Sequence, residues 1–426
     1  MAYNRKQRLN DNIKAIETAF ILDREQRTPT ARERLLLERY CGFGGLKCIL
    51  NPARELADAV HWAKSDLELF APTVELHRLI RENSKNESEY KQLMDSLKQS
   101  VLTAFYTPSA VTEALTDVLK EHQIIPEKVL EPSAGIGAFV DSVLDNNPKA
   151  DIMAFEKDLL TGKILRHLHP EQKVRIEGFE KIEKPFNDYF DLAISNIPFG
   201  DVAVFDPSYT AMKGMRALVT RRIHNYFFVK ALDTVRDGGL VAFITSQGVL
   251  NAKNNSAARF MMLYHADLVS AIRLPNNLFT ENANTEVGSD LIILQKNTQK
   301  ESLRGDDNLL DTVYNDENRI PTNNYFLEHP ERIIHTTAKL DTDPFGKPAM
   351  IYTHEDGVEG IAEDLRKMLH EDFKKNLNLN RYLGIEETKA EEVKEVEETE
   401  KIEKTVKTKP SIEEKQNDTV VSLQKQ

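Results

Sequence analysis

The sequence predicts a doubly wound α/β domain, and three observations carry that expectation. From Val101 onward short apolar runs alternate with helical segments, the pattern of βαβ units around a largely parallel sheet. The first run ends in a glycine-bearing turn, EPSAGIGAF, that leads straight into a helical segment. The second ends in a carboxylate, Glu156, about twenty residues beyond those glycines, the distance at which the two reach one ligand site across neighbouring strands.

Taken in order, residues 1–100 read as a helical domain. Leu9, Ile13, Ile16 and Phe20 recur at helical spacing, and a second helix opens near Thr28 and Thr30 and carries Leu35, Leu36 and Leu37. The stretch CGFGGLK, 41–47, suits a tight turn. A ligand loop is the alternative, although no strand precedes it as a phosphate-cradling motif requires. Strands are expected over 128–131, 152–156, 174–177, 190–195, 240–245, 268–273 and 290–295, with helices between most of them. The last two are joined by LPNNLFTENANTEVGS, which lacks an amphipathic helix, so they are expected to pair antiparallel at the sheet edge. The sheet domain then occupies 101–297. A small polar extension follows over 298–384 with one helix near 360–374, and a charged tail runs over 385–426.

Composition bounds the class. A chain of 426 residues holds one α/β domain and a smaller domain or two. No run approaches the roughly 18 apolar residues that span a bilayer. The start, MAYNRKQRLNDN, has no apolar stretch after its basic residues, so a cytoplasmic protein without membrane contact is expected. The two cysteines, Cys41 and Cys48, have no partner at metal-ligand spacing, and no metal is expected. A net charge of −12 argues against a protein that coats nucleic acid, while leaving room for a local basic cleft. Part of that acidity lies in the tail, which has few large apolar residues to bury and is expected to be disordered or transiently helical; a docking helix is the alternative.

The chemistry concentrates at strand ends. Gly135 and Gly137 let the backbone approach a ligand in front of a helix start. Glu156 is placed to accept both hydroxyls of a ribose. The fourth strand runs into Asn196-Ile197-Pro198-Phe199. At this point the sequence resembles the N6-adenine DNA methyltransferases, whose motif after strand four is Asn/Asp/Ser-x-Pro-aromatic. More narrowly, FYTP, EPSAGIGAF, SNIPFG and FFVKALDTVRDGG look like the methylase part of the methylase-helicase proteins of bacterial mobile elements. The second motif position holds Ile where the commonest family form has Pro; the backbone carbonyl there is retained.

The resemblance implies a seven-stranded Rossmann-like S-adenosylmethionine methyltransferase domain acting on the N6 amino group of adenine in DNA, in restriction-modification or a related setting. It implies that Asn196 and the carbonyl of Ile197 accept the amino hydrogens, that Pro198 stiffens the turn, and that Phe199 stacks on a flipped base. Tyr106, Thr107 and Pro108 would close over the cofactor. Glu131, Pro132, Gly135, Gly137, Phe139 and Glu156 would line its site, with Phe179 and either Glu177 or, preferably, Glu180 around its adenine.

Lys213, Arg216, Arg221 and Arg222, with His224, lie just beyond the motif and suit the phosphates flanking a flipped base; a solvated charged loop is the other reading. Two further functions stay open: methylation of protein glutamine or RNA adenine, and a catalytically silent DNA-binding or anti-restriction module. The polar extension is short for a recognition domain. Specificity is then low, or supplied by the helical N-terminus or by a partner such as a helicase or specificity subunit.

Overall fold

The computed structural model of the chain describes residues 4–103, 105–212, 214–280, 286–303, 307–314, 319–343 and 346–385. The expected tail from 386 and Lys213 lie outside the described residues.

The N-terminal region is helical, as expected: α1 (Arg5–Glu25), α2 (Ala31–Leu37), α3 (Phe70–Glu82) and α4 (Glu87–Thr103). Thr30 starts α2 with a capping box, its hydroxyl accepting from Glu33 N–H while Glu33 reaches back to Thr30 N–H. Leu9, Ile13, Ile16 and Phe20 point into one core with Tyr40, Phe43 and Leu97. The 41–47 stretch packs there as a turn: Asn12 holds Cys41 N–H and Gly42 O, and Phe43 N–H donates to Ser100. Gly42 and Gly45 adopt positive φ, which is why glycine stands at both.

The next elements are α5 (Ser109–Glu121), β1 (Lys128–Glu131), α6 (Ala138–Asn146), β2 (Asp151–Phe155), α7 (Leu159–Leu168), β3 (Lys173–Arg175) and β4 (Phe190–Asn196). They are followed by α8 (Pro207–Thr210), α9 (Met215–Val219), α10 (Ile223–Thr234), β5 (Val235–Ser246), α11 (Gly248–Asn251), α12 (Ser256–His265), β6 (Ala266–Leu274) and β7 (Ser289–Lys296). The seven strands form one sheet in the order β3-β2-β1-β4-β5-β7-β6. All neighbours are parallel except β7, which runs antiparallel to both β5 and β6, so the expected antiparallel pair is present with β6 at the edge.

Helices cover both faces, which makes the sheet doubly wound. On one side α5, α6 and the C-terminal helix Gly357–Asn376 pack over Val129, Ile152, Leu192, Ala242 and Ile293. On the other, α10 and α12 pack over Leu130, Phe155, Ala193, Phe243 and Leu294. The C-terminal helix presents Ile361, Leu365, Leu369 and Phe373 to the sheet. Each such buried side chain contributes about 1.5–3 kcal/mol. Helix α7 joins the two units: Leu165 faces the sheet, while Leu160, Ile164 and Leu168 complete the N-terminal core. Asp23 of α1 seals the junction by pairing with Lys163, with Arg166 at 3.0 Å and with His167 at 2.9 Å.

Two strands depart from expectation. β3 stops at Arg175, so Glu177 falls in the following turn, where Arg175 holds it. β5 starts at Val235 rather than 240, because the Asp237-Gly238-Gly239 stretch is carried inside the strand. The ladder to β4 shifts register between Phe190 and Leu192. Gly238 absorbs the irregularity at φ 74°, and a Cβ there would lie 2.2 Å from the Arg381 carbonyl.

Candidate active site

The glycine turn after β1 is shaped by contact from above. Gly135 (φ 56°) lies under the Tyr106 ring, close enough that a Cβ would sit 2.8 Å from it. Gly137 (φ 91°) caps α6, and a Cβ there would sit 2.7 Å from His169 Nε2. A side chain at either position would therefore clash and strain the backbone. Pro132 and Phe139 are buried, Phe139 in the core beneath α6.

Glu156 follows β2 and is held by two backbone donors, Gly135 N–H to Oε2 at 2.8 Å and Asp158 N–H to Oε1 at 2.7 Å. Burial, and then the Asp158 charge, push its carboxyl up to about 8. Hydroxyls that donate to Glu156 would favour its ionised form.

Glu131 and Thr107 each carry a buried polar atom without a partner among the described residues. Glu131 is buried with Oε2 unpaired, and burial, followed by the charges of Asp141 and Glu156, raises its carboxyl well above the usual range. The Thr107 hydroxyl, one residue past Tyr106, is likewise buried and unpaired. An unsatisfied buried group costs about 1–3 kcal/mol, so the pair favours a ligand bearing both a donor and an acceptor. An amino-acid head bears both: its ammonium suits Glu131 and its carboxylate suits Thr107. The residues present therefore fit S-adenosylmethionine.

At the end of β4, Asn196 Nδ2 donates to the Phe105 carbonyl at 2.9 Å. The amide is thereby oriented, with its oxygen left as an acceptor. Ile197 N–H donates to Ile244 O at 3.0 Å, fixing the turn against β5. The Phe199 ring is half-buried, 6.3 Å from Phe279 in an edge-to-face arrangement. Segment 105–108 thus touches both halves of the site, since Phe105 binds Asn196 while Tyr106 covers Gly135.

After β3, Phe179 is buried among Phe155, Tyr226 and Phe227. Glu177 is engaged by Arg175, whereas Glu180 remains partly exposed, 3.7 Å from Lys157.

The basic stretch divides. Arg216 makes a two-pronged pair with Asp233 at 2.6 and 3.0 Å. Arg222 bonds Asn254 and Asn255 and pairs with Asp201 at 3.0 Å. His224 is buried, and that burial, with Arg222 beside it, lowers its imidazole to about 4. Arg221 is exposed, and among the described residues no carboxylate or amide engages its guanidinium. The structure thus gathers the glycine turn, Glu156, segment 105–108 and the Asn196 turn, and does not bring Arg216 to that group.

Sequence reasoning missed Phe279, whose signal is an aromatic residue shortly after β6. It also missed Tyr40, whose hydroxyl meets Thr161 at 3.2 Å; Tyr106 meets the same Thr161 at 3.5 Å. No local signal announces the Tyr40 contact, because it joins separate units.

Residues 88–392 match the model of a family described as N-6 DNA methylase. The defense against restriction protein B of Escherichia phage P1 is 29% identical over 201 residues, covering 46% of this chain and 8% of the phage protein. The type II methyltransferase M.XamI of Xanthomonas campestris pv. amaranthicola is 25% identical over 173 residues, covering 38% of this chain and 33% of that enzyme. The chain therefore spans a third or less of these relatives. Among solved structures, the type I restriction-modification methyltransferase subunit from Streptococcus thermophilus aligns with a TM-score of 0.39 and 12% identity, over 88% of this chain and 94% of that one.

Proposed function

The chain belongs to the N-6 DNA methylase family, and from that premise we propose that it transfers the methyl group of S-adenosylmethionine to the N6 amino group of adenine in DNA, on a base rotated out of the duplex. The observation that carries this reading is the oriented Asn196 amide, whose donor end is taken by Phe105 and whose acceptor end remains for the substrate.

An adenine amino group is a poor nucleophile because its lone pair is delocalised into the ring. Asn196 Oδ1 and the Ile197 carbonyl each accept one amino hydrogen, which turns the lone pair toward the electrophile. Pro198 holds Ile197 extended, and Phe199 stacks on the base with Phe279 behind it. Stacking of this kind contributes about 1–3 kcal/mol per base. When bound, the cofactor would supply an electrophilic methyl group on a sulfonium centre, whose S–C bond breaks as the N–C bond forms, leaving a neutral thioether. Glu156 would receive its ribose hydroxyls, Glu131 and Thr107 its amino-acid head, and Glu180 its adenine. No strong base is required, since the amino proton becomes acidic once the methyl is attached and leaves to water. Alignment of nitrogen with the methyl group is what the turn contributes.

Arg221, exposed at the surface, is the residue of the basic stretch that we assign to a DNA phosphate; Arg216 serves the fold. DNA as partner, with a helicase or specificity subunit beside it, and a cytoplasmic setting belong to the same reading. The test is incubation with tritiated S-adenosylmethionine and, separately, unmethylated duplex DNA, total RNA and a protein extract. Label in DNA is expected. Label confined to RNA or protein would move the substrate class, and absence of label from all three would overturn the proposal.

A further inference from the structure

The end of β5 carries a polar group for which methyl transfer itself has no use. Gln247 directly follows Ser246, the last residue of β5, and Asn196 pairs with Ile244 on that same strand. Ile197 N–H donates to Ile244 O, so the catalytic turn and the end of β5 form one wall. Gln247 N–H donates to Gly288 O at 3.3 Å. Its side-chain amide lies flat against Gly288, where a Cβ would come within 2.4–2.6 Å of the amide atoms. Gly288 adjoins Val287, whose N–H donates to Asn276 O at 3.1 Å in the turn Asn276–Phe279, and the Phe279 ring lies 6.3 Å from Phe199. Through Gly288 and the Phe279 turn, the amide is linked to the side of the site on which Phe199 is expected to hold the base.

The Gln247 Nε2 donor is buried and has no acceptor among the described residues. The residue as a whole is partly exposed, and the terminal torsion of a Gln side chain is soft. Rotation about that torsion redirects the Nε2 donor. The two sides of this wall are chemically complementary: Asn196 and the Ile197 carbonyl accept, whereas Gln247 donates. Adenine carries the matching pattern, an amino donor at C6 flanked by ring nitrogens that accept.

We propose that Gln247 Nε2 donates to a ring nitrogen beside the amino group of the target adenine, N1 or N7, which makes Gln247 a specificity-determining residue. This inference rests on adenine methylation as the function and deepens it. A glutamine side-chain substrate has no ring acceptor and would leave the Gln247 donor unpaired; guanine places an acceptor where Asn196 needs a donor.

The test uses the full chain and oligonucleotides with random flanks around a central adenine, 1-deazaadenine or 7-deazaadenine. The wild-type protein is expected to lose about tenfold or more in kcat/KM on one of the two analogues, the scale of a lost base contact. Gln247→Leu is expected to show that same loss on adenine and no further loss on that analogue. Gly288→Ala, which displaces the amide without deleting it, is expected to fall between them. Unchanged cofactor affinity in each variant verifies the fold. Indifference of the wild type to both analogues, a wild-type rate for Gln247→Leu, or losses that multiply would each overturn the assignment while leaving DNA methylation in place. Failure of the wild type to methylate the adenine oligonucleotide would instead overturn the function on which the assignment rests.

Discussion

The side-chain amide of Asn196 donates to the backbone carbonyl of Phe105 at 2.9 Å, tying the end of β4 to the segment that covers the glycine turn. The group we propose to orient the substrate and the segment expected to close over the cofactor are therefore mechanically joined. Asn196→Ala should lower methyl transfer by about 100-fold or more, the scale of deleting one preorganised polar contact at a reacting group. It should also weaken cofactor binding several-fold, because the lost bond to Phe105 carries about 0.5–1.5 kcal/mol. Calorimetric titration checks the second effect, and an unchanged cofactor affinity would contradict the coupling.

Cofactor binding should depend on pH through Glu156. Burial and Asp158 push its carboxyl up to about 8, so at neutral pH it is largely protonated and can accept fewer ribose hydroxyl bonds. Affinity is expected to rise from pH 6 to about 8 and then level, with proton release on binding near pH 7; Glu156→Gln should flatten the profile. The stability of the free protein follows the opposite course. A carboxyl that ionises at a higher pH when folded than when unfolded binds more protons in the folded state between the two values, so its contribution falls as pH rises from about 4.5 to about 8. Cofactor affinity that is constant over this range would count against the assigned role.

A second titration lies far from the site. His122 Nε2 and His370 Nδ1 are 3.0 Å apart where α5 meets the C-terminal helix, and His122 stacks on Phe373. Burial, then the charges of His370 and Lys374, lower the His122 imidazole below its usual value. Folding stability from this residue is therefore present above about pH 6.5 and lost as the pH falls below it. Thermal unfolding should show Tm dropping between pH 7 and pH 5, and His122→Asn should reduce that drop. An identical slope in the variant would place the acid sensitivity elsewhere.

The basic stretch separates by variant. Arg216→Ala breaks the pair with Asp233 and should lower Tm while leaving the salt dependence of DNA binding intact. Arg221→Ala should leave Tm unchanged and reduce the slope of log affinity against log salt by about 1, as expected for one lost phosphate contact. The reverse pattern would exchange the two roles.

Much of the molecule is legible in the sequence because it is local. The strand positions and the switch to an antiparallel pair follow from runs and turns along the chain, and the Gly135 and Glu156 contact follows from spacing within one βαβ unit. What is not legible depends on which distant segments meet. Arg216 reads as a free cation until Asp233 is found opposite it. The helix Gly357–Asn376 is visible as a helix, but nothing in its spacing says that it lies on α5 and β6. That β5 begins before Gly238-Gly239 depends on β4 and Arg381 lying against it, which no local run announces. Phe279 and Gln247 acquire meaning only when β5, β6 and β7 assemble around the Asn196 turn.

The chemical position of the transferred methyl group decides whether the Asn196 turn presents an adenine amino group. DNA incubated with the protein and S-adenosylmethionine is digested to nucleosides and separated by mass spectrometry, with Asn196→Ala treated in parallel. N6-methyldeoxyadenosine produced by the wild type and lost in the variant is the expected result. Methylation of cytosine, or N6-methyldeoxyadenosine formed equally by the variant, would contradict the role assigned to the Asn196 turn.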